Sequence, residues 1–331
     1  KTAMKVLVTG PDGVLGSNLV RALCGRGFSV SVFLEKKSTA KTLDELNVSR
    51  FYGDVLNPKD LLEAVKGCDV VVHGAASTSV FPARNPFVRT INVDGTKNII
   101  EACLKNRVKK FIFVGTANSF CFGDEKNPGK EEGPYISKKY GLDYMDSKRE
   151  AQEVVLRAVK ERELPAVIVN PTFMIGPYDS KPSSGAMIIA IYKNAVPGYT
   201  SGGKNYIAVK DAAVGIVNAI DRGKVGECYI LGNKNLSYKD AFDLIARVVG
   251  VSGPKRRLAP FLVVSYGFFS SFFAKIFKFT PSITKELAVI SCEKHYYSSE
   301  KAIKELELPQ TPIEEAVREC FFWFKENGYL K

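Results

Sequence analysis

The chain has 331 residues, 45% of them hydrophobic and 25% charged, values that exclude a disordered or fibrous protein and fit one large α/β unit or a main domain with a second lobe. Its net charge of +12 is spread along the sequence with no basic helix carrying interleaved aromatics. Nucleic acid is therefore not an expected partner, and the cations read as a solvated surface that also attracts anions: cofactor phosphates, acidic substrates or an anionic membrane surface.

Val6–Thr9 is a short apolar run that ends in a glycine turn and reads as a strand. No secretory signal precedes it, so a cytoplasmic location is expected. Ser17–Arg26 reads as a helix, Phe28–Leu34 as a second strand and Leu43–Leu46 as a short helix. Ser49–Tyr52 is a third strand, and Pro58–Lys66 a helix opened by a proline near its start. Asp69–His73, Lys110–Val114 and Ala166–Val169 follow as strands, separated by long helices at Asn92–Asn106 and Tyr144–Glu161. Strands that are nearly all apolar, alternating with helices of about ten to fifteen residues, imply a parallel, doubly wound sheet covered on both faces. After Pro171 the rhythm breaks, with denser glycine, proline and aromatic residues. Residues 4–170 with about 206–232 are expected to form the main domain, and about 171–205 with 233–331 a smaller C-terminal substrate lobe.

The first strand runs into Thr9-Gly10-Pro11-Asp12-Gly13-Val14-Leu15-Gly16 and then into a helix. Glycines at 10, 13 and 16 leave room for a diphosphate, and the helix N-terminus offers it free N–H groups, so Asp12, Val14 and Leu15 are expected beside a bound dinucleotide. Strand two ends in Glu35-Lys36-Lys37: an acid that can accept from the ribose hydroxyls of NAD, and lysines, with Lys41, that can hold the 2′-phosphate of NADP. The three lysines against one carboxylate tilt the expectation to NADP. Asp54-Val55 after strand three can face adenine, and Ala75-Ala76 after strand four are small enough to lie against the cofactor. This set gives the doubly wound sheet the character of an NAD(P)-binding Rossmann fold.

Tyr144 and Lys148 lie four apart on a predicted helix, and so on one face. An ammonium one turn from a phenol is expected to lower the tyrosine pKa, and such a phenol can pass a proton to or from a substrate oxygen while a hydride moves to or from the nicotinamide. Upstream, the strand-five turn Val114-Gly115-Thr116-Ala117-Asn118-Ser119 supplies a hydroxyl for the reacting carbonyl, Thr116 first and Ser119 as the fallback. Seven cysteines without a C-x-x-C pair read as thiols of a reducing compartment. The two histidines, His73 and His295, have no ligand-type neighbours at useful spacing, so no metal is expected.

Together these motifs resemble the extended short-chain dehydrogenase/reductases of the NAD-dependent epimerase/dehydratase family, from Val6 to about Trp323. Asn92-Val93-Asp94-Gly95-Thr96 resembles the family's helix opening, whose Asn supports the active site. Asn170-Pro171-Thr172 through Pro177 resembles the stretch that passes the nicotinamide, which adds Pro171 and Thr172 to the cofactor set. Tyr206 through Asp211 resembles the later strand and its Asp. Ile175–Asp179 and Tyr229–Gly232 are most similar to dihydroflavonol reductase-like proteins and hopanoid-associated sugar epimerases. The resemblance implies that Tyr144 is the acid/base, that Lys148 binds the nicotinamide ribose, and that Thr116 orients the substrate. The chain departs from the family at Pro11-Asp12, where Ala-Thr is usual; at Gly115, where a serine is usual; and at Glu35, where reductase-like members often carry arginine.

Leu258–Ala274 has no charged residue and is rich in Phe, with Lys255-Arg256-Arg257 before it and Lys275 and Lys278 after it. Interrupted by Pro260, Gly267 and serines, it is read as a substrate-lobe helix packed on the core, with a peripheral membrane contact through about 258–278 as the alternative. Aromatic residues after the strand turns, Phe81, Phe120 and Phe122, point to an apolar or aromatic substrate. Thr78, Phe81, Asn118 and Phe173 are the expected substrate contacts. The expected activity is hydride transfer between nicotinamide and a carbonyl or alcohol. The alternatives are a nucleotide-sugar epimerase or dehydratase that regenerates its cofactor and a non-catalytic dinucleotide sensor. By analogy with the family the protein is a homodimer through the two long helices, or a monomer.

Overall fold

In the computed structural model, which describes residues 3–281 and 283–330, the first apolar run is an interior strand of a sheet. It is β1 (Lys5–Thr9), with Val6, Leu7 and Val8 at most 1% exposed. The chain continues through α1 (Val14–Gly25), β2 (Ser29–Glu35), β3 (Ser49–Gly53), α2 (Pro58–Val65) and β4 (Val70–His73). It then forms α3 (Pro86–Arg89), α4 (Gly95–Asn106), β5 (Lys110–Val114), α5 (Asp143–Arg162), β6 (Ala166–Pro171) and β7 (Phe173–Ile175). The remaining elements are α6 (Ala186–Tyr192), β8 (Gly203–Ala208), α7 (Val209–Arg222), β9 (Cys228–Leu231), β10 (Lys234–Ser237) and α8 (Tyr238–Val249). Last come α9 (Pro260–Phe277), α10 (Lys285–Ser291), β11 (Lys294–His295), α11 (Glu300–Leu306) and α12 (Ile313–Glu326).

The main sheet has seven parallel strands in the order β3-β2-β1-β4-β5-β6-β9. Strand side chains alternate between its faces. Val6 and Val8 pack with Leu19, Val20 and Leu23 of α1 and with α7, while Leu7 packs with α2, α4 and α5 on the other side. The strand order reverses between β1 and β4, and the turns after those two strands open the crevice where such sheets bind ligands.

The second lobe has a small sheet in which β8 pairs with β10 on one edge and with β7 and β11 on the other. Its core joins α6, α8 and α12 through Ile188, Phe242, Ile245, Val317 and Phe324. Residues 203–208 pair in this small sheet, while Ile207 among them packs with α7 into the core of the main sheet.

Two helices differ from expectation at their starts. α1 begins at Val14, directly on the glycine turn, because a Cβ on Gly16 would stand 2.1 Å from the Gly10 carbonyl oxygen and glycine alone lets the helix press onto the loop. The expected helix 92–106 begins instead as α3, passes through a π-helical turn at Thr90–Asp94 and then becomes α4. π turns of this kind gather at functional sites, and this one carries Asn92. The expected helix at 43–46 is a 3-10 turn at Lys41–Leu43.

Candidate active site

The carboxyl ends of β1, β2, β3, β4 and β6 carry most of the dinucleotide set expected from sequence, with Asn92 in the π-helical turn and Tyr144 and Lys148 on α5. Gly10 has φ +68°, and a Cβ there would meet the backbone N of Ala75 at 2.8 Å, so the turns after β1 and β4 pass in contact. A Cβ on Gly13 would meet nothing nearer than 3.9 Å, which leaves open space above the first turn of α1. That helix has no side-chain N-cap and no acid in its first turn, so its N–H groups and positive end are left for an anion. A cradle of this shape and charge fits the diphosphate of a dinucleotide. Asp12 accepts a hydrogen bond from Ser38 at 2.7 Å, tying the glycine turn to the segment after β2. Glu35 and Lys36 are exposed at the end of β2, and Asp54 accepts from the Leu56 N–H at 2.8 Å, closing its own turn.

Tyr144 and Lys148 lie in the first two turns of α5. Lys148 is 6% exposed, donates to the Val114 carbonyl at 2.7 Å and stands 4.8 Å over the Phe113 ring. Burial pushes its pKa down to about 8. Burial also pushes the Tyr144 phenol up, and the neighbouring Thr116 hydroxyl opposes that rise. The expected lowering of the Tyr144 pKa by Lys148 is thus not the outcome: burial of the phenol sets the direction, and the group that opposes it is Thr116.

Thr116 and Tyr144 line one cavity of about 240 Å³; Ser119, the fallback, is fully buried away from it. Gly115 replaces the family's usual serine for a spatial reason. A Cβ there would lie 2.4 Å from the Asn170 amide nitrogen, which donates to Gln152 at 2.7 Å and to the Thr116 carbonyl at 3.1 Å.

Asn92 holds the wall of the site. Its side-chain oxygen Oδ1 accepts from the Ser77 N–H at 2.7 Å, and its side-chain amide donates to the Ser77 carbonyl at 3.0 Å and to the Ser147 hydroxyl at 2.9 Å. The segment carrying Ala75 and Ala76 is thereby clamped to α5 beside Tyr144. His73 is locked below it. Thr96 spends its proton on the Asn92 carbonyl at 2.6 Å, so it accepts from His73 Nε2 at 3.2 Å. His73 Nδ1 then accepts from the Thr9 hydroxyl at 2.8 Å, whose oxygen takes the Ala75 N–H at 3.1 Å. This chain of donors assigns a neutral Nε2–H imidazole with a structural part.

Of the expected substrate contacts, Asn118 and Phe173 line the cavity, together with Pro171 and Thr172. Thr78 and Phe81 do not; Val80 between them does. Phe120 is buried in a core cluster, and Phe122 stacks on His295 at 3.9 Å behind the cavity wall. Sequence reasoning missed the far wall, which includes Lys204, Asn205, Leu287, Ile290, His295 and Tyr297. Lys204 and His295 are brought side by side by the β8–β11 pairing. Burial pushes Lys204 down to about 8, and its ammonium lies 4.2 Å over the Phe173 ring. Among the described residues there is no group of three His, Cys, Asp or Glu that could hold a metal ion.

Burial pushes both histidines down to about 3. Each folded-state value lies below the ordinary 6.5, so the unfolded chain binds two protons that the native state refuses as pH falls from 6.5 towards 3. Stability should drop by about 2–3 kcal/mol per pH unit below pH ~6. Urea midpoints at a series of pH values check this; a flat profile down to pH ~4.5 would refute the neutral assignment.

A family model of the NAD dependent epimerase/dehydratase family matches residues 6–232. A protein of Synechocystis sp. (strain ATCC 27184 / PCC 6803 / Kazusa) named putative dihydroflavonol 4-reductase is 30% identical over 98% of this chain and 95% of its own length. Sterol demethylase protein B of Methylococcus capsulatus is 26% identical over 99% of this chain and all (100%) of its own. The crystal structure of gox2253 superimposes with a TM-score of 0.87 at 33% identity, covering 98% of this chain and 99% of that one. With the glycine cradle, the seven-stranded parallel sheet and these matches in hand, the chain belongs to the NAD-dependent epimerase/dehydratase family and is an NAD(P)-dependent oxidoreductase of the short-chain dehydrogenase/reductase type.

Proposed function

We propose that this protein transfers a hydride between nicotinamide and a carbonyl or alcohol carbon of an apolar or aromatic substrate, with Tyr144 as acid/base. The observation that carries the reading is the cavity itself. It places the Tyr144 phenol and the Thr116 hydroxyl against a wall made by Val80, Leu142, Met145, Phe173, Leu287 and Ile290, beside the turns that form the dinucleotide cradle. When bound, the cofactor supplies or takes the hydride. In the reducing direction the Tyr144 phenol gives its proton to the substrate oxygen, so hydride and proton together account for the two electrons and two hydrogens gained. Burial that raises the phenol pKa keeps that proton in place for donation at neutral pH. Thr116 donates a second hydrogen bond to the same oxygen and fixes its position. Lys148, held by the Val114 carbonyl, would supply positive charge one helical turn from the developing phenolate and would hold the nicotinamide ribose.

In this reading the diphosphate lies on Gly10, Gly13 and Gly16 with Asp12, Val14 and Leu15. Adenosine meets Glu35, Lys36, Asp54 and Val55, and the nicotinamide half meets Ala75, Ala76, Pro171 and Thr172, with Asn92 behind them. The exposed Lys36 and Lys37 favour NADP over NAD. Alongside this reading, the apolar segment at about 258–278 is proposed as a peripheral contact with a membrane surface.

A second reading, nucleotide-sugar epimerase or dehydratase, is favoured by one feature: Lys204 puts a cation in the cavity that a substrate diphosphate would meet. The test is net consumption of NADPH, and of NADH beside it, with a panel of ketones, aldehydes and nucleotide-sugars, with products identified. Net oxidation with a ketone supports the proposal, and a faster rate with NADPH supports the cofactor preference. Isomerisation of a nucleotide-sugar without net turnover would replace the proposal with the second reading.

A further inference from the structure

α9 is built inside out. A surface helix ordinarily turns its large apolar side chains to the core. Here the inward stripe is Val263, Gly267 and Ala274, with the Ser271 hydroxyl accepting from the Lys285 N–H at 3.0 Å. A Cβ on Gly267 would stand 2.8 Å from the Ala288 Cβ, so small residues let α9 press onto α10. The large residues face out: Phe261, Phe268, Phe269, Phe272, Phe273, Ile276 and Phe277 are each 47–70% exposed. One helix thus supplies most of the protein's exposed phenylalanines, a contiguous apolar surface of the kind that marks an interaction site.

Charge identifies what covers it. From residue 255 to residue 292 the chain has six basic residues (Lys255, Arg256, Arg257, Lys275, Lys278, Lys285) against one acid, Glu286. Among the described residues none of the six is in an ion pair. Basic residues at both ends of an outward phenylalanine face suit the interface of an anionic bilayer, with rings among the acyl chains and ammonium and guanidinium groups at the headgroups. α10 connects this surface to the chemistry. Its Ala288 packs on α9, while its Leu287 and Ile290 line the cavity that holds Tyr144.

We propose that α9 is an interfacial anchor that seats the protein on an anionic lipid surface, with α10 as the shared wall between that surface and the substrate cavity. The route from bilayer to cavity rests on the apolar-substrate reading; the anchoring does not. The bilayer delivers a lipid-like carbonyl or alcohol to Tyr144 along the α9–α10 pair.

The test is co-sedimentation of the full chain with vesicles of phosphatidylcholine alone or mixed with phosphatidylglycerol, without substrate. The wild type should sediment with the anionic vesicles, and high salt should release part of it. Two variants accompany it: Phe268→Ser with Phe269→Ser, Phe272→Ser and Phe273→Ser, and separately Lys255→Ser with Arg256→Ser and Arg257→Ser. Each should weaken anionic-vesicle binding by about tenfold or more. Both should leave turnover of a water-soluble ketone unchanged, since none of these side chains lines the cavity. No sedimentation, or equal sedimentation with phosphatidylcholine alone, would overturn the proposal. So would a dimer of the wild type in lipid-free buffer that the phenylalanine variant loses, which would assign the face to a second copy of the chain. Vesicle binding is read without catalysis, so failure of the anchor and failure of the proposed activity are separate results.

Discussion

Tyr144→Phe should lower kcat for carbonyl reduction by about 10²–10⁴-fold, with KM for the ketone and cofactor affinity little changed. The substitution removes one oxygen and keeps the ring, so the cavity formed with Leu142, Met145 and Leu287 keeps its shape. What is lost, among the described residues lining the cavity, is the phenol that neighbours Thr116 and is proposed to protonate the substrate oxygen; Tyr297, the other phenol on the wall, directs its hydroxyl to the Asn118 side-chain oxygen at 3.3 Å. The measurement is steady-state turnover with the best ketone found, beside cofactor titration by fluorescence. Turnover within about threefold of wild type would remove Tyr144 from the acid/base role.

Lys148→Met should produce a nearly inactive enzyme that is more stable than the parent. On the activity side, the variant loses the cation that the proposed mechanism uses one helical turn from the phenol, and a loss of at least ~10²-fold in kcat/KM is expected. On the stability side, the Lys148 pKa of about 8 lies below the ordinary 10.5 of an exposed lysine. The unfolded chain therefore binds the proton more tightly than the native state. Native stability carries a penalty below pH 8, and the penalty fades as pH rises from 8 to 10.5. Methionine has no charge to desolvate, so it escapes the penalty and gives up only the bond to the Val114 carbonyl. The net gain at pH 7 should be about 1–2 kcal/mol, after about 1.5 kcal/mol is deducted for that bond. Urea midpoints at pH 7 and pH 10 check both parts: the variant leads at pH 7, and the gap closes at pH 10. A variant less stable at pH 7 would mean that the lysine contributes more through its bond than burial costs. Stability given up at a buried charge is a mark of a functional position.

Sequence alone determined the order of strands and helices in the main domain, the glycine cradle after β1 and the Tyr144/Lys148 pair on one face of α5, because each is written in local spacing. Apolar alternation, glycines three apart and an i, i+4 pair are legible without knowing what packs where. It also marked the apolar run at 258–274, but expected it to pack on the core. Only the tertiary structure turned its phenylalanines outward, with Gly267 pressed onto α10 and Val263 and Ala274 buried on the same helix. The far wall of the cavity was likewise invisible. Lys204, Leu287, Ile290, His295 and Tyr297 lie 60 to 153 residues along the chain from Tyr144 and meet it only through β8, α10 and β11. The placement of Val80 rather than Thr78 or Phe81 at the cavity, and the Asn170 amide that demands glycine at 115, were decided the same way. The direction of the Tyr144 pKa belongs with them. Sequence supplies the neighbour four residues on, whereas desolvation depends on every segment that closes over the phenol, and those segments come from both lobes.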